Sequence, residues 1–271
     1  MVETEIKFNG ASVWWSLSDR TPERELREGF ISIGLPELIP EKIENRQALK
    51  RALQSMYPEQ RALIRPLKGI VGYALVRENA DGAEMEYNQE VKALLAGNLL
   101  LTDPPDYHWA PELRARYQDE CGFVTAAKLG GALVKACRGL GGIPLRPRGG
   151  FYWIPEENMD RWRAVAKVAE DSHSGNTISV MRTTADEESV DAICDALIHE
   201  VETNLSQIEE KLDSGDLGER ALTTQKLEVT QLDAQVRKFE KILGRTLDSL
   251  RDHVEVVEAH ATMAVLAAVG G

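Results

Sequence analysis

Cysteine is scarce in this chain, and Cys121, Cys137 and Cys194 are odd in number and far apart, with no CxxC and no histidine cluster. Neither a disulfide framework nor a zinc site is expected from such a set, no metal or other cofactor is called for, and a reducing compartment suits it. Long apolar runs are also missing. No stretch reaches the roughly 18 apolar residues of a membrane-spanning helix, and Met1 to Gly10, with Glu3, Glu5 and Lys7, lacks the apolar centre of a signal peptide. The expected setting is therefore cytoplasmic, with no membrane partner.

Catalytic signatures are equally sparse. There is no GxxxxGK[ST], no GxGxxG after a strand and no GxSxG, and His199-Glu200 is not followed by the second histidine of HExxH. His108, in Asp106-Tyr107-His108-Trp109, is a loop histidine beside a carboxylate and has the chemistry for proton transfer. A lone loop histidine is more often structural or simply exposed, so no catalytic residue is assigned and the chain is not expected to be an enzyme.

What is present is a core and a sharp separation of charge. With 43% hydrophobic residues in 271, the chain can bury one large domain or two ordinary ones. The formal charge of -12 opposes simple polyanion binding, because the overall field repels phosphate. From Asp186 onward, 19 acidic residues face 8 basic ones, so this segment carries nearly all of that charge. From Cys121 to Pro155, by contrast, there is no Asp or Glu, while Lys128, Lys135, Arg138, Arg146 and Arg148 are all basic.

The pattern of apolar residues predicts an α+β chain in three consecutive parts. Residues 1–98 read as a small antiparallel α+β unit. It holds a strand at Ser12–Leu17, a helix from Pro22, an amphipathic helix at Glu41–Met56, and a hairpin of Leu67–Val76 and Glu84–Tyr87 turned by Asn79-Ala80-Asp81-Gly82. Residues 99–185 read as helices at Pro111–Asp119 and Thr125–Gly139, an arginine-bearing hairpin at Ile143–Ile154, a helix from Pro155 to about Glu170, and a strand at Thr177–Met181. Pro144 and Pro147 each remove a backbone donor, so the first arm of that hairpin is an edge strand or lies outside a regular ladder.

Residues 186–271 read as an acidic antiparallel helical hairpin. Val190, Cys194, Leu197, Val201, Leu205, Ile208 and Leu212 recur at steps of three and four. After the turn residues Asp213 to Gly218, so do Val229, Leu232, Val236, Phe239 and Leu243, and the series resumes at Leu250, Val254 and Val257. This is the period of a coiled-coil seam, which makes the hairpin a candidate for pairing copies of the chain. Ala261 to Val269 is too short to cross a bilayer and should extend the helix.

The order of two short helices followed by a hairpin with arginines near its tip, within residues 111–155, resembles a winged helix-turn-helix. That resemblance implies a DNA or RNA contact, with Lys128, Lys135 and Arg138 on or beside the recognition helix and Arg146 and Arg148 reaching phosphate from the wing. The competing reading has Leu145, Phe151, Trp153 and Trp162 anchoring the hairpin while its arginines pair with acids elsewhere. Trp14-Trp15 and Phe151-Tyr152-Trp153 have rings suited to stacking bases or sugars, although alternation along a strand sends part of each set into the core. The leading expectation is a non-enzymatic, self-associating assembly protein, of a kind that suits an accessory role in a phage or other mobile element. A nucleic-acid-binding protein with the hairpin as its oligomerisation arm is the alternative, and an enzyme with dispersed residues the third.

Overall fold

The computed structural model describes residues 8–58, 63–81, 84–146 and 149–270. In chain order its elements are β1 (Phe8–Ser16), β2 (Thr21–Pro22), α1 (Glu23–Ser32), α2 (Asn45–Met56), β3 (Ile64–Pro66), β4 (Gly72–Asp81), β5 (Glu84–Ala96) and β6 (Leu99–Asp103). There follow α3 (Ala110–Glu120), β7 (Phe123–Val124), α4 (Ala126–Gly139), β8 (Ile143–Pro144), β9 (Phe151–Pro155), α5 (Met159–Ser172), β10 (Thr177–Thr184), α6 (Glu187–Asp213), α7 (Glu219–Leu243) and α8 (Asp248–Gly270). The chain is α+β with antiparallel sheets, as its sequence pattern predicts.

Contacts gather it into two compact units: Met1–Ser16 with Leu133–Lys167 and Thr177–Gly271, and Leu17–Ala132 with Val168–Asn176. Strand pairing joins β1 to residues more than a hundred positions away, so the units interleave along the chain instead of following consecutive parts.

In the second unit the expected hairpin is β4 paired with β5, Tyr73 opposite Ala93, and it is widened by β3 and β6 into one antiparallel sheet. The segment 67–76, read from sequence as one strand, is a turn followed by β4, and Leu67 donates to the Gly72 carbonyl across that turn. Asn79 and Asp81 belong to β4 itself, while the tip at Gly82 lies outside the described residues. Helix α2 begins at Asn45, later than the composition suggested, because Glu44 is extended. Its Ala48, Leu49, Ala52 and Leu53 pack with Leu75, Val91 and Ala93 of the sheet and with Leu113 and Tyr117 of α3.

In the first unit the strand order is β10-β1-β9-β8, antiparallel throughout. Val13 lies opposite Val180 on one side and Tyr152 on the other, which makes β1 an inner strand. The short strand β8 is at the edge, where Pro144 has no N–H to leave unpaired. Alternation divides the aromatic residues as the strand period requires. Trp15 stacks on Tyr152 at 5.8 Å and tilts against Trp162, whereas Trp153, on the opposite face, is fully buried against Phe239 of α7.

The three helices that follow are the body of this unit. Asp186 caps α6, accepting from the Ser189 backbone N–H at 2.9 Å, and Glu187 and Glu188 suit the positive end of the helix dipole. The turn near Gly215, whose φ is +70°, reverses the chain where its composition predicts. The second arm is not continuous, however. Gly244, with φ +64°, takes the left-handed conformation that ends α7, and the chain turns back as α8. The spacing predicted two arms, and the seam instead closes a three-helix core.

Every seam residue, Val190, Leu197, Val201, Leu205, Ile208, Leu212, Val229, Leu232, Val236, Phe239, Leu243 and Leu250, is buried in that core within a single chain. Each such side chain contributes about 1.5–3 kcal/mol relative to exposure. Surface ion pairs such as Arg237–Asp233 add about 0–1 kcal/mol each, so apolar burial holds the bundle.

Candidate functional site

The basic window is divided between the two units. Lys128 belongs to the second unit, its side chain is only 26% exposed, and its ammonium group donates to the Lys42 carbonyl at 2.6 Å and pairs with Glu41 at 3.4 Å. It is a structural contact there, not a free point on an exposed recognition face. Lys135 is exposed on α4 in the first unit, and Arg148 lies outside the described residues. Arg138 and Arg146 line the same groove.

That groove, about 740 Å³ in volume, runs between the arm formed by Pro144, Leu145 and Arg146 and the side of α6. Arg138, one residue from the end of α4, stands on the same wall as the arm. Leu140, Gly141 and Gly142 close α4 by returning their N–H groups to the Ala136, Arg138 and Cys137 carbonyls, and this turn leads directly into β8. Opposite, α6 presents Ala192, Ala196, His199, Thr203 and Gln207 at steps of four, three, four and four, with Asp195, Glu200 and Asn204 beside them. A further groove of about 410 Å³ shares Arg138, Asn204 and Gln207 and continues to Lys211 and, on α7, to Glu228, Gln231 and Gln235.

The two walls differ in charge. Arg146 donates to the Gly149 carbonyl at 3.3 Å and stands 5.8 Å from the Phe151 ring centre, with no carboxylate at ion-pair distance among the described residues. Glu200 is 13% exposed, and its carboxylate lies 3.7 Å from the Arg138 guanidinium. Burial pushes this carboxyl above the ordinary range, with Arg138 acting against the shift. Its other oxygen is buried and has no hydrogen-bond partner among the described residues.

His108 belongs to the second unit. It is exposed between the rings of Tyr107 and Trp109, at 5.1 and 5.0 Å, and has no ion-pair partner among the described residues. Cys121, Cys137 and Cys194 are all free, and burial raises the Cys137 thiol far above its usual range. Among the described residues no His, Cys, Asp and Glu side chains are grouped to hold a metal ion, and no helix is long and apolar enough to cross a membrane.

With this geometry in place, comparison with known proteins is brief. Residues 10–269 match a family described as a family of unknown function, DUF6744. The chain belongs to that family. No curated protein and no solved structure matches it. Whatever this member of DUF6744 does must be argued from its own groove and surfaces. No local pattern marks the groove residues on α6, because polar side chains on the outer side of an amphipathic helix read the same whether they meet water or a partner.

Proposed function

We propose that the protein is a non-enzymatic assembly protein whose copies associate through the outer face of α8. The apolar seam of the three helices supplies their core and is not free to pair copies, so the contact is assigned to a different surface. One observation carries it. Val256, Met263 and Leu266, seven and three residues apart on one side of α8, are 65%, 62% and 67% exposed. Large apolar side chains aligned over three helical turns mark an interaction face more readily than the same residues scattered singly.

A second copy is the occupant that charge favours. Residues 259–271 contain no Asp, Glu, Lys or Arg, in a chain of net charge -12. Two copies meeting there avoid most of the repulsion they would meet along the acidic side of α6. An apolar stripe of this kind is also its own complement about a two-fold axis. Light scattering after size exclusion tests the proposal. The full chain is expected to be dimeric or larger at micromolar concentration, and Val256→Glu/Met263→Glu to be monomeric with unchanged helicity. A wild-type chain that stays monomeric up to about 100 μM removes the proposal.

A second reading, contact with single-stranded DNA or RNA, is favoured by one arrangement. The Trp14 and Phe151 rings, 5.7 Å apart and tilted, share an end of the first unit's sheet with the Arg146 guanidinium. Rings beside a cation are the elements that stack bases and hold phosphate. A gel shift at low salt that Trp14→Ala and Arg146→Glu each weaken is the expected result; binding indifferent to both excludes this patch.

A further inference from the structure

We infer that the groove between the Pro144–Arg146 arm and α6 takes an extended, mixed-charge peptide segment of a partner protein. The inference is independent of self-association through α8. It begins from the shape of the site. From Ala192 to Lys211 the two connected grooves follow α6 for 19 residues, about 28 Å at the helical rise, which accommodates roughly eight residues of extended chain. A compact metabolite would leave most of that length empty.

Charge selects the occupant further. Arg138 and Arg146 line one wall, and Asp195 and Glu200 stand on the other. A nucleic acid strand would satisfy the arginines and meet the two carboxylates with its phosphates. A peptide with an acidic side chain on one side and a basic one on the other complements both walls.

The remaining lining suits a peptide backbone. Asn204, Gln207, Gln231 and Gln235 each offer a donor and an acceptor along the groove, the pair of functions that a peptide group presents in return. Sheet extension is not the means of binding. Pro144 occupies the edge strand and has no N–H, and the Leu145 N–H is already donated to the Phe151 carbonyl at 3.0 Å. The segment is therefore held by side chains, with Leu145 and Ala196 as the apolar contacts in the same groove.

The test uses the full chain, immobilised and panned against a displayed library of random decapeptides. Enriched clones are synthesised with a fluorescein label and measured by polarisation. Peptides carrying both Glu or Asp and Lys or Arg should be enriched. Arg146→Glu and Asp195→Lys, both at exposed positions, should each weaken binding about tenfold. A peptide with its charges interchanged should bind the Arg146→Glu/Asp195→Lys double variant better than it binds the wild type. That reversal would not come from a merely structural effect of the substitutions. Val256→Glu/Met263→Glu should bind as the wild type does, which separates this inference from the α8 proposal. Failure to enrich over a blank surface, clones indifferent to both groove substitutions, or displacement of the peptide by a dT12 strand overturns it.

Discussion

Trp153 of β9 and Phe239 of α7 meet with their ring centres 5.7 Å apart, and both are fully buried. The contact joins the sheet of the first unit to its helices, and the Trp153 indole N–H is satisfied by the Thr183 hydroxyl at 2.8 Å. Replacing Trp153 with Ala removes the largest buried side chain in this core and takes one donor from the Thr183 hydroxyl, which still donates to Asn9 Oδ1. A loss of about 3–5 kcal/mol is expected in urea unfolding followed by far-UV circular dichroism. Phe239→Leu, which keeps apolar volume in the same place, should cost less than half as much.

The turn at Gly244 is the next point of sensitivity. An added Cβ there has open space, so the cost of Gly244→Ala comes from placing Ala at φ +64° and should be about 1 kcal/mol. Gly10 makes the opposite case. A Cβ on it would lie 2.3 Å from the Ile154 carbonyl oxygen and 2.6 Å from the Trp153 ring, so Gly10→Ala must displace a paired strand. Thermal unfolding of the two variants should rank Gly10→Ala well below Gly244→Ala. Equal melting points would mean that β1 and β9 have room to part.

The same turn explains what could be read in advance. Leu243 and Leu250 are seven residues apart, so the apolar period passes through Gly244 as if one helix continued, although the chain reverses between them. Period alone reports which residues enter the core, and it did so correctly for the whole seam. It does not report how many helices share that core, nor whether the partner is the same chain. The arm shows a complementary limit. Its edge position followed from Pro144, but the neighbour that makes it one wall of a groove is α6, and its first groove residue, Ala192, is almost fifty positions later. Lys128 failed as an exposed basic residue for a similar reason: Glu41 and Lys42, its partners, lie in a segment that no local pattern connects to α4.

Strong acid should weaken the fold in part through Asp186. Hydrogen bonds from the Thr184 hydroxyl and from the Ser189 N–H and hydroxyl hold its carboxyl down to about 2, below the ordinary 3.8. A carboxylate whose folded-state value is depressed contributes stability above its unfolded value and loses it as pH falls toward the folded one. Asp186→Asn keeps a capping oxygen, although its amide also presents donors, and it does not titrate. Its melting temperature should therefore lie below that of the wild type at pH 7, with the gap closing between pH 3.8 and about 2. A gap that persists unchanged through that window would show that the ionised form of Asp186 adds nothing.

Glu200 should behave in the opposite sense. Its carboxyl is raised by burial, against the pull of Arg138, so the folded state takes up a proton more readily than the unfolded one. Stability from this group therefore grows as pH falls through its folded-state value, and at neutral pH the ionised form is a cost. Glu200→Gln keeps the shape and removes the charge. It should be more stable than the wild type at pH 7, with the difference shrinking as acid protonates the native carboxyl. Arg138→Met distinguishes the two contributions, because it leaves the buried carboxylate without its cation 3.7 Å away. That variant should be less stable than the wild type at pH 7, and combining it with Glu200→Gln should recover much of the loss. If the two substitutions prove additive, the ion pair across the head of the groove carries no coupling, and Glu200 is held in its place by packing alone.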